Sequence, residues 1–401
     1  MEVSFRKMLK IESGANNNKW YEFHPSKDGK TFEAKYGRVG YEGVSKTYPI
    51  SDFDKKYREK IKKGYEDITE IVSEIKTVSN QIISKEKEVE ELILQLQKYA
   101  NINNRNTYLY SDSVTKYQLE YAQKSIDKLT NSFNNHYNKN WDVNSFNAEL
   151  LNLYKIIPRK MKKVVDHLIV NETSKDEILE LIGNEQNNLD SLSSSYTANN
   201  IAETNDVDNN IDLLESLGLK ISFELSKKER DEVYEMMNES KHQINRIYKV
   251  ENKNTQEKFD DFLKTQRNKK TQLLFHGSRN QSWWFILQQG LKIRPANAVF
   301  TADMFGTGIY GAAKAKKSIG YTSLNGSYWA RGNDKKGYLA LFEYHLGKQK
   351  IVYYGEKFSY DRLQKDGYDS VYAKAGKSLY NDEFIVYTEN QATIKYLIEI
   401  K

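Results

Sequence analysis

Residues 273–278 read Leu-Leu-Phe-His-Gly-Ser, an apolar run that stops at a histidine and breaks at a glycine. Such a run, bounded by turn residues, reads as a strand. His276 then has two readings. It closes a buried strand through an ordinary hydrogen bond, or it is delivered to a site at the strand's end. The sequence that follows bears on the choice. "QSWWFILQQGL" (281–291) reads as a short helix with Gly290 at its C-terminal cap. Strand-like runs recur at "YLALFEYHLG" (338–347), "KIVYYG" (350–355), "EFIVYT" (383–388) and "IKYLIEI" (394–400). The zone 271–401 is therefore expected to be mostly β. It also carries a glycine-flanked turn, "FGTGIYGAA" (305–313), a helical turn, "KKSIGY" (316–321), and the late segment "YNDEFIVY" (380–387).

Upstream the period changes. Ile68, Ile71, Ile75, Val78, Ile82, Val89, Leu92 and Leu96 follow helical spacing, as do 113–133 and 145–157, the latter stopped by Pro158. Ser226 and Glu229 form a capping box that opens a helix over 226–242. "RKMKKV" (159–164) reads as a basic helix face and "SSSYTANNIAETNDVDNN" (193–210) as a polar, mobile loop. Residues 1–67 read as a small β-rich unit. "KWYEFH" (19–24) and "KTFEAKYGRVG" (30–40) flank an Asp-Gly turn, which predicts a hairpin. A helix over 52–68 follows, with Phe53, Tyr57 and Ile61 on one face and Lys55, Lys56, Lys60, Lys62 and Lys63 mostly elsewhere.

Composition sets outer limits. The chain has 401 residues, enough for two to four domains. No apolar run is long enough to span a bilayer, and no apolar segment near Met1 suggests a secretory signal. The absence of cysteine excludes disulfides and thiolate metal sites. A formal charge of +6 permits an anionic partner without requiring one.

The C-terminal segments "LLFHGSRN", "ILQQGLKIRP", "MFGTGIYGA", "KSIGY" and "NDEFIVY" stand in the order and spacing of a known enzyme. In them the chain resembles the catalytic domain of the poly(ADP-ribose) polymerases. "NKWYEF" and "YGRVG" resemble a WGR domain, and "LEYAQKSI", "LLNLYKIIP" and "IYKVENKNTQEKFDDF" resemble the helical regulatory domain of DNA-dependent members. The resemblance implies an α+β multidomain chain. A WGR-like DNA-sensing domain would occupy 1–70, and an all-α helical bundle regulatory domain 71–262, with a mobile loop at about 193–210. A mostly-β ADP-ribosyltransferase catalytic domain would occupy 263–401.

The resemblance also implies the chemistry. NAD would be a substrate, with no metal. His276, Tyr310 and Glu383 would form the catalytic triad, with His276 on the adenine-ribose hydroxyls and Glu383 on the nicotinamide-ribose hydroxyl. Gly277 and Ser318 would hold the carboxamide, Tyr310 and Tyr321 would sandwich the nicotinamide ring, and Ser278 and Lys292 would lie near the adenosine and pyrophosphate. Lys317 reads as a solvated lysine or as an acceptor-side contact, and Asp382 as a competitor of Glu383 or a solvent-facing residue. In the N-terminal zone, Tyr36 stands where the family has Trp, Arg38 is either the family's interdomain arginine or a solvated charge at the β-edge, and Trp20 is either DNA-facing or core. The expected function is DNA-break-activated, polymerising ADP-ribosyl transfer, with release of nicotinamide, to the enzyme itself and to nearby proteins, autoinhibited by the helical domain. The expected partners are DNA ends or nicks and acceptor proteins, with no membrane. The expected location is the nucleus in a eukaryote, and otherwise the cytoplasm or nucleoid. Mono-ADP-ribosyl transfer, or a DNA-end-binding scaffold with weak transferase activity, are the alternatives.

Overall fold

In the structure, a computed structural model, residues 3–12, 17–39, 41–69, 83–137, 141–204, 212–293 and 302–401 are described. They fall into two compact units, residues 1–77 with 103–189, and residues 78–102 with 190–401. The division falls inside two helices.

The first unit begins with strands β1 (Arg6–Glu12), β2 (Asn17–Pro25), β3 (Thr31–Arg38) and β4 (Val44–Pro49), helix α1 (Phe53–Lys62) and the short β5 (Glu66–Asp67). They form one sheet in the order β4-β3-β2-β1-β5, with antiparallel neighbours. The expected hairpin is β2–β3, and its turn works because Gly29 takes a left-handed φ of 69°. Tyr21, Phe23, Phe32 and Phe53 form the core beneath α1. The helix stops at Lys62 rather than Ile68, and Ile61 is exposed, so its apolar face ends at Tyr57. Lys60 is turned inward, its ammonium 4.0 Å from the ring centroid of Tyr21.

The helices are α2 (Lys87–Thr107), α3 (Lys116–His136), α4 (Val143–Ile156) and α5 (Lys175–Thr204). The continuous helix expected over 68–96 is shorter: residues 83–86 are not helical, and Ile71, Ile75, Val78 and Ile82 lie outside the described residues. "RKMKKV" is not a helix. It is an irregular strap, bridged at Arg159 to Tyr108 and followed by a single helical turn, Val164–His167. Pro158 forbids helix continuation, and Met161 and Val164 are buried. The strap meets the N-terminal sheet at Asn18, whose amide donates to the Met161 carbonyl at 3.4 Å, and at Arg38, which donates to the Lys162 carbonyl.

The polar stretch expected as a mobile loop is helix α5 as far as Thr204, and 205–211 lie outside the described residues. Its small hydroxyls find partners within the helix and on α2. Ser194 donates to the Ser191 carbonyl at 2.8 Å, and Thr197 to that of Ser193 at 3.0 Å. Ser191 is fully buried and donates to Ala100 of α2. Tertiary packing thus overrides a polar composition that reads as loop.

The second unit adds α6 (Leu213–Ser216), β6 (Leu219–Ser222), α7 (Lys227–Met237), β7 (Ile244–Asn252) and α8 (Lys253–Thr265). It continues with β8 (Thr271–Ser278), α9 (Trp283–Gln289), β9 (Ile309–Gly311), α10 (Ala315–Ile319), β10 (Gly337–His345) and β11 (Gln349–Val352). It ends with α11 (Tyr360–Lys365), β12 (Ser370–Ala373), β13 (Glu383–Val386) and β14 (Ala392–Ile400). Two sheets result, in the orders β6-β7-β14-β10-β8 and β11-β12-β13-β9.

"IYKVEN", expected within a helical domain reaching residue 262, is strand β7, paired with β14. The sheet-rich body therefore begins near Leu219 rather than at 263. Pairing with β6 on one side and β14 on the other shows this, because the run is short enough to suit either structure. The Ser226 capping box forms as expected, on α7. The larger core joins Trp283, Trp284, Tyr338, Phe342 and Leu397 to Val89, Leu92, Ile93 and Leu96 of α2.

Candidate active site

The two C-terminal sheets meet through β8. Phe275 and Ala312 exchange backbone hydrogen bonds of 2.8 and 3.0 Å, which ties β8 to the end of β9. The next residue of β8, His276, donates from Nδ1 to the Tyr310 carbonyl at 3.2 Å. A carbonyl only accepts, so Nδ1 carries the proton, and the neutral ring leaves Nε2 as an acceptor. Burial holds the His276 pKa below its usual value, opposed in part by that carbonyl, so the ring is neutral at pH 7.

Gly277 follows. A Cβ there would overlap the carbonyl oxygen of Ser318, so β8 and α10 approach as closely as only glycine allows. Ser318 is buried, and its hydroxyl donates to the Phe275 carbonyl at 3.1 Å. Tyr310, on β9 opposite Ile385 of β13, donates its phenol to the Gly306 carbonyl at 2.7 Å.

Glu383 is the first residue of β13 and is only 5% exposed. Its Oε1 is ion-paired with Lys317 of α10, and its Oε2 is buried without a hydrogen-bond partner among the described residues. Burial raises the Glu383 carboxyl above the usual carboxylate range, and the Lys317 ammonium offsets part of the rise. Burial likewise lowers the Lys317 pKa against the pull of Glu383. An unsatisfied buried oxygen is costly. Here it is a vacant acceptor for a hydroxyl donor, which fits a ribose.

The structure thus links His276, Gly277, Ser318, Tyr310 and Glu383 through direct contacts among β8, β9, α10 and β13. Lys317 is neither solvated nor free: it holds the acid. Its adjacency to Ser318 was a signal for this, but a lysine on a short helix also fits solvent. Asp382 neither competes nor faces solvent freely, since both its oxygens accept internal hydrogen bonds. Tyr321 lies beside α10, with its amide donating to Ser318 at 3.1 Å, and its ring stacks on Trp329 at 6.2 Å and 18°. Trp329 carried no motif and was missed. The Ser278 carbonyl accepts from the Trp283 indole at 3.2 Å. Lys292 is paired with Glu389 at 2.8 Å, and Glu389 also accepts from the Ile293 amide, so this cation is already engaged.

The N-terminal candidates belong to the other unit. Tyr36 stacks on Tyr21 at 5.1 Å and 8°. Trp20 is half-buried, donates to the Arg38 carbonyl at 3.3 Å, and lies so close over Gly43 that no Cβ would fit there. Its ring is used in packing.

Residues 222–377 match the poly(ADP-ribose) polymerase catalytic domain, and residues 5–72 match the WGR domain. Glu383 lies just beyond the first match. Over 162 residues the chain is 39% identical to protein 100L of Invertebrate iridescent virus 6, which bears a poly [ADP-ribose] polymerase-like name; the match covers 39% of this chain and 84% of that protein. Uncharacterized protein 101L of the same virus is 33% identical over 196 residues, 48% of this chain and 78% of its own length. Poly [ADP-ribose] polymerase 2 of Arabidopsis thaliana is 33% identical over 170 residues, which is 35% of this chain and 26% of that enzyme. With this match over most of the viral protein's length, and with the site built from the same segments, the chain belongs to the poly(ADP-ribose) polymerase family and is an NAD-dependent ADP-ribosyltransferase.

Proposed function

We infer that this transferase is switched on by DNA breaks, modifies itself and nearby proteins, lengthens the attached ADP-ribose into chains, and is restrained by its helices. The observation that carries the chemistry is the buried Glu383 carboxylate, one oxygen held by Lys317 and the other without a partner among the described residues. Cleavage of the nicotinamide–ribose bond sends its electron pair to the leaving nicotinamide and builds positive charge at the ribose. A fixed carboxylate favours that charge, and it also polarises the acceptor hydroxyl that attacks. Tyr310 and Tyr321 would stack on the nicotinamide, Gly277 and Ser318 would hold its carboxamide, and His276 Nε2 would accept from the adenine ribose.

Two features support regulation. The WGR match lies on the unit whose α1 exposes Lys55 and Lys62, cations suited to phosphates. Within the other unit, α2 is part of the hydrophobic core of the transferase sheet. A helix so embedded biases the site whenever its own packing changes. DNA dependence would place the enzyme with the DNA, in the nucleus of a eukaryote or the nucleoid otherwise.

Incubation with labelled NAD, with and without nicked DNA, followed by a denaturing gel, tests the reading. A DNA-dependent ladder is expected. A sharp single shift would mean mono-transfer, and identical signal without DNA would remove DNA activation.

A further inference from the structure

Two short segments flank the pair of Glu383 and Lys317. Residues 312–320 carry Lys314, Lys316 and Lys317 and no acidic residue; residues 373–382 carry Lys374, Lys377 and a single acid, Asp382. The two carboxylates of the neighbourhood have internal partners, and the exposed lysines outnumber them. Glu383 is paired with Lys317. Asp382 Oδ2 accepts from the Tyr372 hydroxyl at 2.7 Å, and its Oδ1 accepts from the Ala375 amide at 2.8 Å.

The second of those bonds joins the two ends of segment 375–382 and closes it as a loop. Gly376, at a φ of 110°, donates to the Leu379 carbonyl at 2.9 Å and makes the turn. Tyr372 in turn lies flat on Phe384, with centroids 4.8 Å apart and planes 4° apart. The loop before Glu383 is therefore fastened at its base to the strand that carries Glu383. With its acid turned inward, the loop presents Lys374, Lys377 and the ring of Tyr380, which is 98% exposed. Lys314 stands one helical turn before Lys317 and is exposed. Burial would raise the Asp382 carboxyl, but the Ala375 amide, the Tyr372 phenol, Lys374 and Lys314 together hold it below the usual range, so both lysines lie within electrostatic reach of it. Lys314, Lys374 and Lys377 have no ion-pair partner among the described residues.

Building on the transferase reading, we propose that loop 374–382 and the start of α10 form an acceptor-recognition rim that selects acidic peptide segments. Its lysines are exposed point charges spread along two segments. That arrangement suits a run of Asp and Glu side chains on an extended peptide better than the compact, convergent grip a single pyrophosphate requires. Tyr380 offers the same peptide an apolar surface. Attraction of this kind acts on encounter and weakens as salt rises.

The test uses the full chain with nicked DNA and two synthetic peptides of equal length. Both carry the same central Ser and Glu acceptors. One is flanked by Asp and Glu, the other by Asn and Gln. The acidic peptide should be modified faster by on the order of tenfold at low salt, with the advantage shrinking as salt is raised. The combined Lys314→Gln, Lys374→Gln, Lys377→Gln variant should lose that preference. It should still release nicotinamide to water at the wild-type rate without peptide, which also shows that it is folded. Equal rates on the two peptides, or a preference that survives in the variant, would overturn the proposal. So would a variant that keeps the peptide preference but fails to lengthen preformed ADP-ribose chains, because the rim would then read polymer. Absence of nicotinamide release from the wild type would overturn the transferase reading itself, and the rim with it.

Discussion

Glu383 and Lys317 are two buried charges that depend on each other. Replacing Glu383 by Gln keeps size and a hydrogen bond to a ribose hydroxyl but removes the charge. NAD affinity should change little. Transfer should fall about 10²–10³-fold, roughly 3–4 kcal/mol of transition-state stabilisation. Nicotinamide release, product length and calorimetric NAD binding measure the two effects separately, and collapse of binding together with rate would make Glu383 a ground-state ligand. Lys317→Met tests the pairing from the other side. Burial raises the Glu383 pKa, and Lys317 holds it down. Without the ammonium the carboxyl climbs further, so more alkaline solution is needed to ionise it. The acid limb of the pH–rate profile should therefore move to higher pH; an unmoved limb would mean that Glu383 does not set it. The same raised pKa bears on stability. That contribution is fully present below the ordinary carboxylate value and is lost as pH rises through the folded value, so the ionised acid is kept at a cost to the fold.

Among the elements, β8 and α10 form the tightest junction. Gly277 leaves no room for a Cβ against the Ser318 carbonyl, and that atom belongs to the backbone, which cannot rotate away. Gly277→Ala should push α10 off β8, displacing Ser318 and Lys317 together. The expected result is a lower melting temperature and loss of nicotinamide-analogue binding, read by thermal shift with and without the analogue. A variant that keeps full ligand-induced stabilisation would show that the close approach does not build the carboxamide site. At this scale the sequence was legible where period and punctuation were strong. The β2–β3 hairpin, α3, α4, and strands β8, β10, β11, β13 and β14 lie close to where alternation, Pro158 and the glycines put them, whereas β9 and β12 were not read as strands. It failed where composition and period pointed elsewhere. The serines of α5 read as loop, and β7 read as helix because both neighbouring segments are helical.

For the molecule as a whole, the regulatory reading concerns how the helices are packed. Leu153 on α4 is buried in unit one with Leu150 and Tyr154. Leu153→Ala should cost about 2–5 kcal/mol of local stability, as large-to-small core changes typically do. If the helices restrain the transferase, loosening them should raise turnover without DNA. Nicotinamide release in the absence of DNA, measured beside a melting curve, checks this: a destabilised variant with an unchanged basal rate would remove autoinhibition. The strap at 159–164 bears on the same question. Arg38 and Asn18 hold it through backbone carbonyls, so the N-terminal sheet and the strap move as neighbours.

The sequence by itself determined the reaction family. His276, Tyr310, Ser318, Tyr321 and Glu383 are carried by short local motifs that period or punctuation already marks. Only the tertiary structure decided what those residues do to one another. That Lys317 neutralises Glu383, that Glu389 occupies Lys292, and that β7 belongs to the transferase sheet all depend on partners distant in sequence, and that Asp382 anchors a loop depends on how the segment before it folds back. No local propensity encodes such pairs. A lysine before a serine and an aspartate before a glutamate look solvated until the fold supplies Glu383 to the one and Tyr372 and Ala375 to the other.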